Sequence, residues 1–462
     1  MTQGKNIGLL VLLILLFVAL LYTCEYSKLL SQIRVDTYAY PTSLHKDLLS
    51  NTLENIKTTA LETDIDQLIL DLPSDRYYNS DNGYKSSIYI EEYLKNLTNN
   101  IESKPVRELF RTALFHHEWK QPSVILRVGQ FPQSIVLGCH VDSINFKSTH
   151  NAPGVDDNLS GVVVVLQTVK HLTKLLESGM NLKNTIEFHF YAAEEVGSAG
   201  STEVFQNYRL EEREIVAMLQ QDMTGFIQKS LDQGEDEHFG LIRDYQSPTL
   251  SSFIKLIIEE YCHIPVLETE CGKVCSDHIS ALMYGYPSVY VLESKVELSN
   301  PYIHSIHDTV EKIDFNHMRE HLRMTIAFVV ELAITPIKRT EVVEKISFRY
   351  IDLIILMTVH HTRRFVYLVI VFAAIMCTLY IISDDMAKST NNASSTPLGI
   401  DPVDEKYDEM LLNELRQSLM RQPITAPTMA VGFMGGVVLP LLITNAIAQR
   451  PANALSQGAN GK

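Results

Sequence analysis

Five short stretches each carry an acid or a histidine at or near the end of an apolar run or in a Gly/Pro-bounded loop. SIVLGCHVDS supplies His140 and Asp142, and APGVDDNLSG supplies Asp156 and Asp157. YAAEEVGSAGS supplies Glu194 and Glu195, LQQDMTGF supplies Asp222, and NPYIHSIHDT supplies His304 and His307. Imidazole nitrogen and carboxylate oxygen are zinc donors, and a catalytic zinc keeps one position open for water. Two histidines and three carboxylates, one of them shared, suit a pair of zinc ions about 3.5–4 Å apart. Adjacent residues at a strand end point to different sides, so one of Glu194 and Glu195 can bind metal while the other serves as general base. Singly, a histidine after a strand is a cap and a Glu-Glu pair is a solvated pair. The joint occurrence, in order and with Gly/Pro loops between, carries the reading.

Such residues need a scaffold that gathers strand ends. Apolar β-type runs occur at 123–128 (SVILRV), 134–139 (SIVLGC), 185–193 (TIEFHFYAA) and 288–292 (SVYVL), and EIVAMLQQ at 214–221 leads into Asp222. SIVLGC is nearly all apolar, as a strand buried on both faces should be. Helical spacing (Ile88, Ile90, Tyr93, Leu94, Leu97) marks an amphipathic helix in the second half of 68–97. Further helices are expected near 161–178, 249–261 and 315–332, while 27–65 reads as mixed and polar, helical and then loop. The alternation predicts an α/β domain with a mostly parallel central sheet flanked by helices. Open α/β sheets collect ligands at the C-terminal ends of their strands.

The 462 residues allow one large domain with additional segments. A net charge of −16 excludes the basic footprint that nucleic acid requires. Residues 1–26 read as a signal peptide or signal-anchor, with Lys5 preceding the apolar run 7–22. Residues 27–337 form the expected catalytic domain. Residues 338–462 form a membrane-associated region, with spans at 365–383 and 429–448 around a polar loop, 384–427. Membrane lipid is therefore an expected partner.

The stretches above, together with LPSDRYYNSDNGYKSSIYIEEYL, CGKVCSDHIS and GYPSVYVLES, resemble the bacterial leucyl aminopeptidase type of zinc metallopeptidase, a family that includes aminopeptidase Y and glutamate carboxypeptidase. The resemblance covers about 68–314. It implies a zinc-exopeptidase fold and two zinc ions: His140 and Asp222 on one, Glu195 and His304 on the other, Asp156 bridging, and Glu194 as base. It selects His304 over His307, which spacing alone does not. It implies that Asp142 orients His140 and that a cis peptide bond follows the bridging residue, at Asp156-Asp157. It also implies a Cys271–Cys275 disulfide beside the substrate pocket, which agrees with an oxidising, extracytoplasmic compartment and with the N-terminal segment. Lys273 departs from the family, which carries a tyrosine there; a lysine also stabilises developing negative charge. Cys139 stands where Gly-Gly would be expected and reads as buried and structural. The implied reaction is removal of a hydrophobic first residue from a peptide with a free N-terminus, by metal-activated water. Met223, Phe226 and Tyr286 are the apolar neighbours expected to set that preference, with Asp157 nearby. A carboxypeptidase, a glutaminyl cyclase and a non-catalytic peptidase-like membrane protein are the rival readings.

Overall fold

The computed structural model describes residues 33–147 and 151–346. The segments expected at 7–22, 365–383 and 429–448, and the loop 384–427, lie outside the described residues. The strands are β1 (Ile33–Ala39), β2 (Phe110–Phe115), β3 (Ser123–Val128), β4 (Gln133–His140) and β5 (Thr185–Tyr191), followed by β6 (Glu214–Gln221), β7 (Phe239–Ile242), β8 (Val266–Thr269), β9 (Ser288–Leu292) and β10 (Lys338–Ile346).

Eight strands form one sheet in the order β2-β3-β5-β4-β6-β9-β7-β8. Its centre, β5-β4-β6-β9, is parallel. Antiparallel pairings join β2 to β3, β3 to β5 and β7 to β9, so the sheet is mixed and parallel mainly at its middle. Successive side chains of a strand face opposite sides. On β4, Ile135, Leu137 and Cys139 enter the main core with the Gly161–Glu177 and Phe315–Ile334 helices. Val136 instead joins Tyr191, Phe205 and Met218 on the other face, beneath the Ala199–Leu210 helix. A sheet between two helical layers explains why SIVLGC of β4 reads as an almost unbroken apolar run.

The stretch Val155–Glu177, which includes the Gly161–Glu177 helix, is long and apolar enough by composition to cross a membrane, yet it is mostly buried inside this domain. Full burial of a valine or leucine contributes about 1.5–3 kcal/mol. The run Val162–Leu166 therefore holds the helix mainly by packing. Helix starts follow local chemistry. Ser80 accepts from Gly83 N, Ser247 from Leu250 N, and Asp314 from Asn316 N and His317 N. Each such cap is worth about 1 kcal/mol.

The boundary expected at 337 falls short. β10 begins at Lys338 and pairs antiparallel with β1, Ile33 opposite Ile346, to form a separate two-stranded ribbon. Ile33, Val35 and Ile346 seat the ribbon on Ile279 and Leu282. The polar stretch 27–65 also holds more structure than expected: β1, then helices Lys46–Glu54 and Thr58–Asp71.

Candidate metal centre

Three parallel strands deliver the chemistry at their C-terminal ends. His140 is the last residue of β4, Glu194 and Glu195 follow β5, and Asp222 follows β6. The backbone turns sharply there. Ala193, Met223 and His304 take left-handed φ values of 59°, 53° and 54°. That region costs a non-glycine residue about 1–3 kcal/mol and tends to mark functional sites. Gly154 is also left-handed, at φ 52°, and a Cβ there would stand 2.5 Å from Asp157 O, so the turn into the Asp157 loop excludes side chains.

Two groups of possible metal donors meet in the cleft, one of His140, Asp157 and Asp222, the other of Asp157, Glu195 and His304. Asp157 belongs to both. Its Oδ1 lies 3.1 Å from His140 Nε2 and its Oδ2 lies 3.1 Å from His304 Nε2. Asp222 Oδ1 is 3.2 Å from His140 Nε2, and Glu195 Oε2 is 2.8 Å from His304 Nε2. Glu195 Oε1 is shut off from solvent and has no partner.

The bridging position expected for Asp156 is thus occupied by Asp157. Asp156 turns the other way: Oδ1 accepts from Gly225 N at 3.0 Å, Oδ2 accepts from Asn300 Nδ2 at 2.9 Å, and the carboxyl bonds to Glu293. It pins the loops after β6 and β9 together instead of facing the cleft. The cis peptide likewise falls one residue later than expected, at Asp157-Asn158. His307 is exposed and takes no part, whereas His304 faces the cleft.

The surrounding bonds fix these side chains. His140 Nδ1 meets the Asp142 backbone carbonyl at 3.1 Å, with the Asp142 carboxylate at 3.5 Å. That carboxylate also accepts from Glu194 N and Glu195 N, both at 3.1 Å, so Asp142 ties the β4 and β5 ends to each other. Asp222 receives Ser276 Oγ at 2.6 Å, and Tyr290 donates to its backbone carbonyl at 3.0 Å. Asp308, fully buried, accepts from Asp156 N and Asp157 N at 3.1 and 3.0 Å. Arg76, also buried, donates to Val141 O, Pro153 O and Gly154 O. Asp308 and Arg76 both lie inside quoted motifs, but nothing in their spacing set them apart from surface charges.

Electrostatically the cleft crowds acids together. Burial, reinforced by Asp157, raises the Glu195 carboxyl to about 8. Burial raises Glu194 well above the carboxylate range, with His140 opposing and Asp222 reinforcing. Burial would lower His304, but its bonds to Asp157 and Glu195 prevail and raise it to about 11. The acids demand a positive partner, and the donor set is that of a hard or borderline divalent cation.

Beside the donors, the cleft is lined by Met223, Tyr290, Leu292, Val296 and Ile303, against which Cys271 and Cys275 pack, and by Lys273. The cavity measures about 290 Å³. The two cysteines form a disulfide, with 6.3 Å between Cα atoms. Asp244 holds that loop by accepting from Cys271 N and Gly272 N. Of the apolar residues expected in the pocket, only Met223 lines it. Phe226 is buried against Tyr302, and Tyr286 packs with Phe205 elsewhere. Cys139 is buried, as expected.

Residues 123–329 match the model of peptidase family M28. Leucine aminopeptidase 1 of Fusarium vanettenii is 40% identical over 308 residues, which are 65% of this chain and 77% of that protein. Leucine aminopeptidase 1 of Paracoccidioides brasiliensis is 46% identical over 262 residues, 56% of this chain and 67% of that protein. Among solved structures, the LapA aminopeptidase of Legionella pneumophila superposes with a TM-score of 0.58 at 25% identity, covering 65% of this chain and 75% of that one. LapB of the same organism gives 0.57 at 26% identity, covering 65% and 79%. A mixed α/β domain with His and carboxylate donors converging at its strand ends defines the class, a metal-dependent peptidase. The chain belongs to peptidase family M28.

Proposed function

We propose that this protein is a two-zinc aminopeptidase that removes an apolar first residue from peptides. The observation that carries the reading is the Asp157 carboxylate, one oxygen toward each histidine, with Asp222 and Glu195 completing the two donor sets. The unpartnered Glu195 Oε1 fits the same purpose. His140, Asp157 and Asp222 would hold one zinc, and Asp157, Glu195 and His304 the other. The chemistry a zinc pair supplies when bound is polarisation of a carbonyl and acidification of water.

The chain's own residues do the rest. Glu194 stands next to the Glu195 donor and is held by its backbone bond to Asp142 and by Ser198 Oγ, 3.3 Å from its Oε1. It takes a proton from the attacking water and returns it to the leaving amine. The wall of Met223, Tyr290, Leu292, Val296 and Ile303 accepts an apolar side chain and excludes water from it. Lys273, which also lines the cleft, offers positive charge to the oxyanion.

The Cys271–Cys275 disulfide and the apolar runs 7–22 and 365–383 support a membrane-attached domain outside the cytoplasm. Release of the full chain from membranes by alkaline carbonate would contradict that attachment. For activity, leucine p-nitroanilide is compared with its N-acetylated form. Cleavage of only the free amine is expected; equal cleavage of both, or of neither with zinc bound, refutes the aminopeptidase reading.

A further inference from the structure

One exposed large apolar side chain packs on a candidate ligand, and two more flank that ligand in sequence. Phe146 is 73% exposed, Ile306 47% and Tyr302 37%, and His304 lies between the last two in sequence. The Phe146 ring packs against the His304 imidazole, 4.5 Å between centroids at 56°. Phe146 N donates to His304 O at 3.2 Å.

This ring stands in water on a braced backbone. Asn145 Oδ1 accepts from Lys147 N at 2.9 Å, and Asn145 Nδ2 donates to Asn151 O at 3.0 Å. Tyr302 is fixed as well: its N–H bonds Asn300 Oδ1 at 2.8 Å, and Lys312 Nζ sits 4.1 Å from its ring. A large apolar ring held open to solvent beside a cleft marks a binding surface. Here it is continuous with the cleft through His304.

The occupant follows from the reaction, and so this inference rests on the aminopeptidase reading. A free N-terminus has nothing before it. The first side chain fills the walled pocket of Met223, Tyr290, Leu292, Val296 and Ile303. The rest of the peptide must leave through the open side, past His304. We infer that Phe146 forms a subsite for the residue that follows the scissile bond, and that this subsite selects a bulky apolar second residue. Phe146 is then a specificity-determining residue that touches the leaving part of the substrate.

The test measures kcat/KM of the zinc-loaded full chain on leucinamide, Leu-Gly-amide and Leu-Phe-amide. The amidated termini keep charge out of the comparison. Wild type is expected to favour Leu-Phe-amide over Leu-Gly-amide by about 3- to 10-fold, the size of one aromatic contact. Phe146→Ala should bring the ratio near one, chiefly through KM, with leucinamide turnover and zinc content within about twofold of wild type. Phe146→Tyr should restore the preference. A wild-type ratio near one, or an unchanged ratio in Phe146→Ala, overturns the inference. So does an equal loss on all three substrates, which would mean that Phe146 only props His304. Failure of wild type to cleave any of them sinks the aminopeptidase reading itself.

Discussion

Arg76→Met tests how the site is held from behind. Arg76 is 1% exposed, and its guanidinium donates to three carbonyls: Val141 O at 2.9 Å, Pro153 O at 2.7 Å and Gly154 O at 2.9 Å. Val141 follows His140, and Gly154 stands at the turn into Asp157, so one side chain joins the loops of two donors. Burial lowers the guanidinium to about 10, with Asp308 and Asp142 opposing the fall, so it stays charged at neutral pH. Methionine occupies similar stem space and donates nothing. Hydrogen bonds to charged groups are worth about 1.5–3 kcal/mol each. Three of them, discounted for the cost of burying the charge, come to about 3–5 kcal/mol. That is a large share of a typical stability of about 5–15 kcal/mol. Urea unfolding of the full chain can be followed by its single tryptophan, Trp119, which stacks on His117 at 4.4 Å. The midpoint should fall by about 1 M or more. Arg76→Lys keeps the charge but loses the fork, and should recover only part of the loss. A Met variant within about 0.5 kcal/mol of wild type, the scatter of ordinary surface substitutions, would refute the reasoning.

Glu194→Gln should retain zinc and lose turnover by at least about 10²-fold, measured as metal content against leucinamide hydrolysis; a variant with near-normal turnover removes Glu194 as the base. Burial raises the Glu187 carboxyl, but the bond from His189, the charge of Arg213 and the Tyr208 hydroxyl at 2.6 Å outweigh it and bring it to about 2. A depressed folded pKa stabilises the domain above the ordinary carboxylate range, and that stability is lost as pH falls from about 4.5 toward about 2. The contribution is about 3 kcal/mol. Glu187→Gln should therefore flatten the acid limb of stability between about pH 4.5 and 2, and an unchanged limb in pH-dependent unfolding would contradict the assignment.

The sequence was most legible where side-chain period and burial coincide. Apolar runs mark β3 to β6 and β9, and the residues at the ends of β4 and β6, His140 and Asp222, can be placed there from the sequence. Asp156 and Asp157 show where that logic stops. They are adjacent acids in a turn without strand or helix period, and the direction of each depends on bonds donated by Gly225 and Asn300 and accepted by Asp308, all far away in the chain. The ribbon was hidden for a related reason: β1 and β10 pair across nearly the whole domain, and β10 is mostly exposed and polar. β7 and β8 are four residues each, too short to show a period. Arg76 reads as a surface charge in LPSDRYY, since nothing local reveals that three carbonyls enclose it.

The proposed sharing of Asp157 between two zinc ions makes it the one carboxylate on which both donor sets depend. That sharing is tested most directly by the zinc content of wild type, Asp157→Asn and Asp156→Asn, each purified as the folded full chain and equilibrated at one free zinc concentration. About two zinc per chain are expected in wild type and close to two in Asp156→Asn, with less than one in Asp157→Asn, since one donor set loses its oxygen and the other keeps only a neutral amide oxygen. Two zinc retained by Asp157→Asn, or both lost from Asp156→Asn, would contradict it.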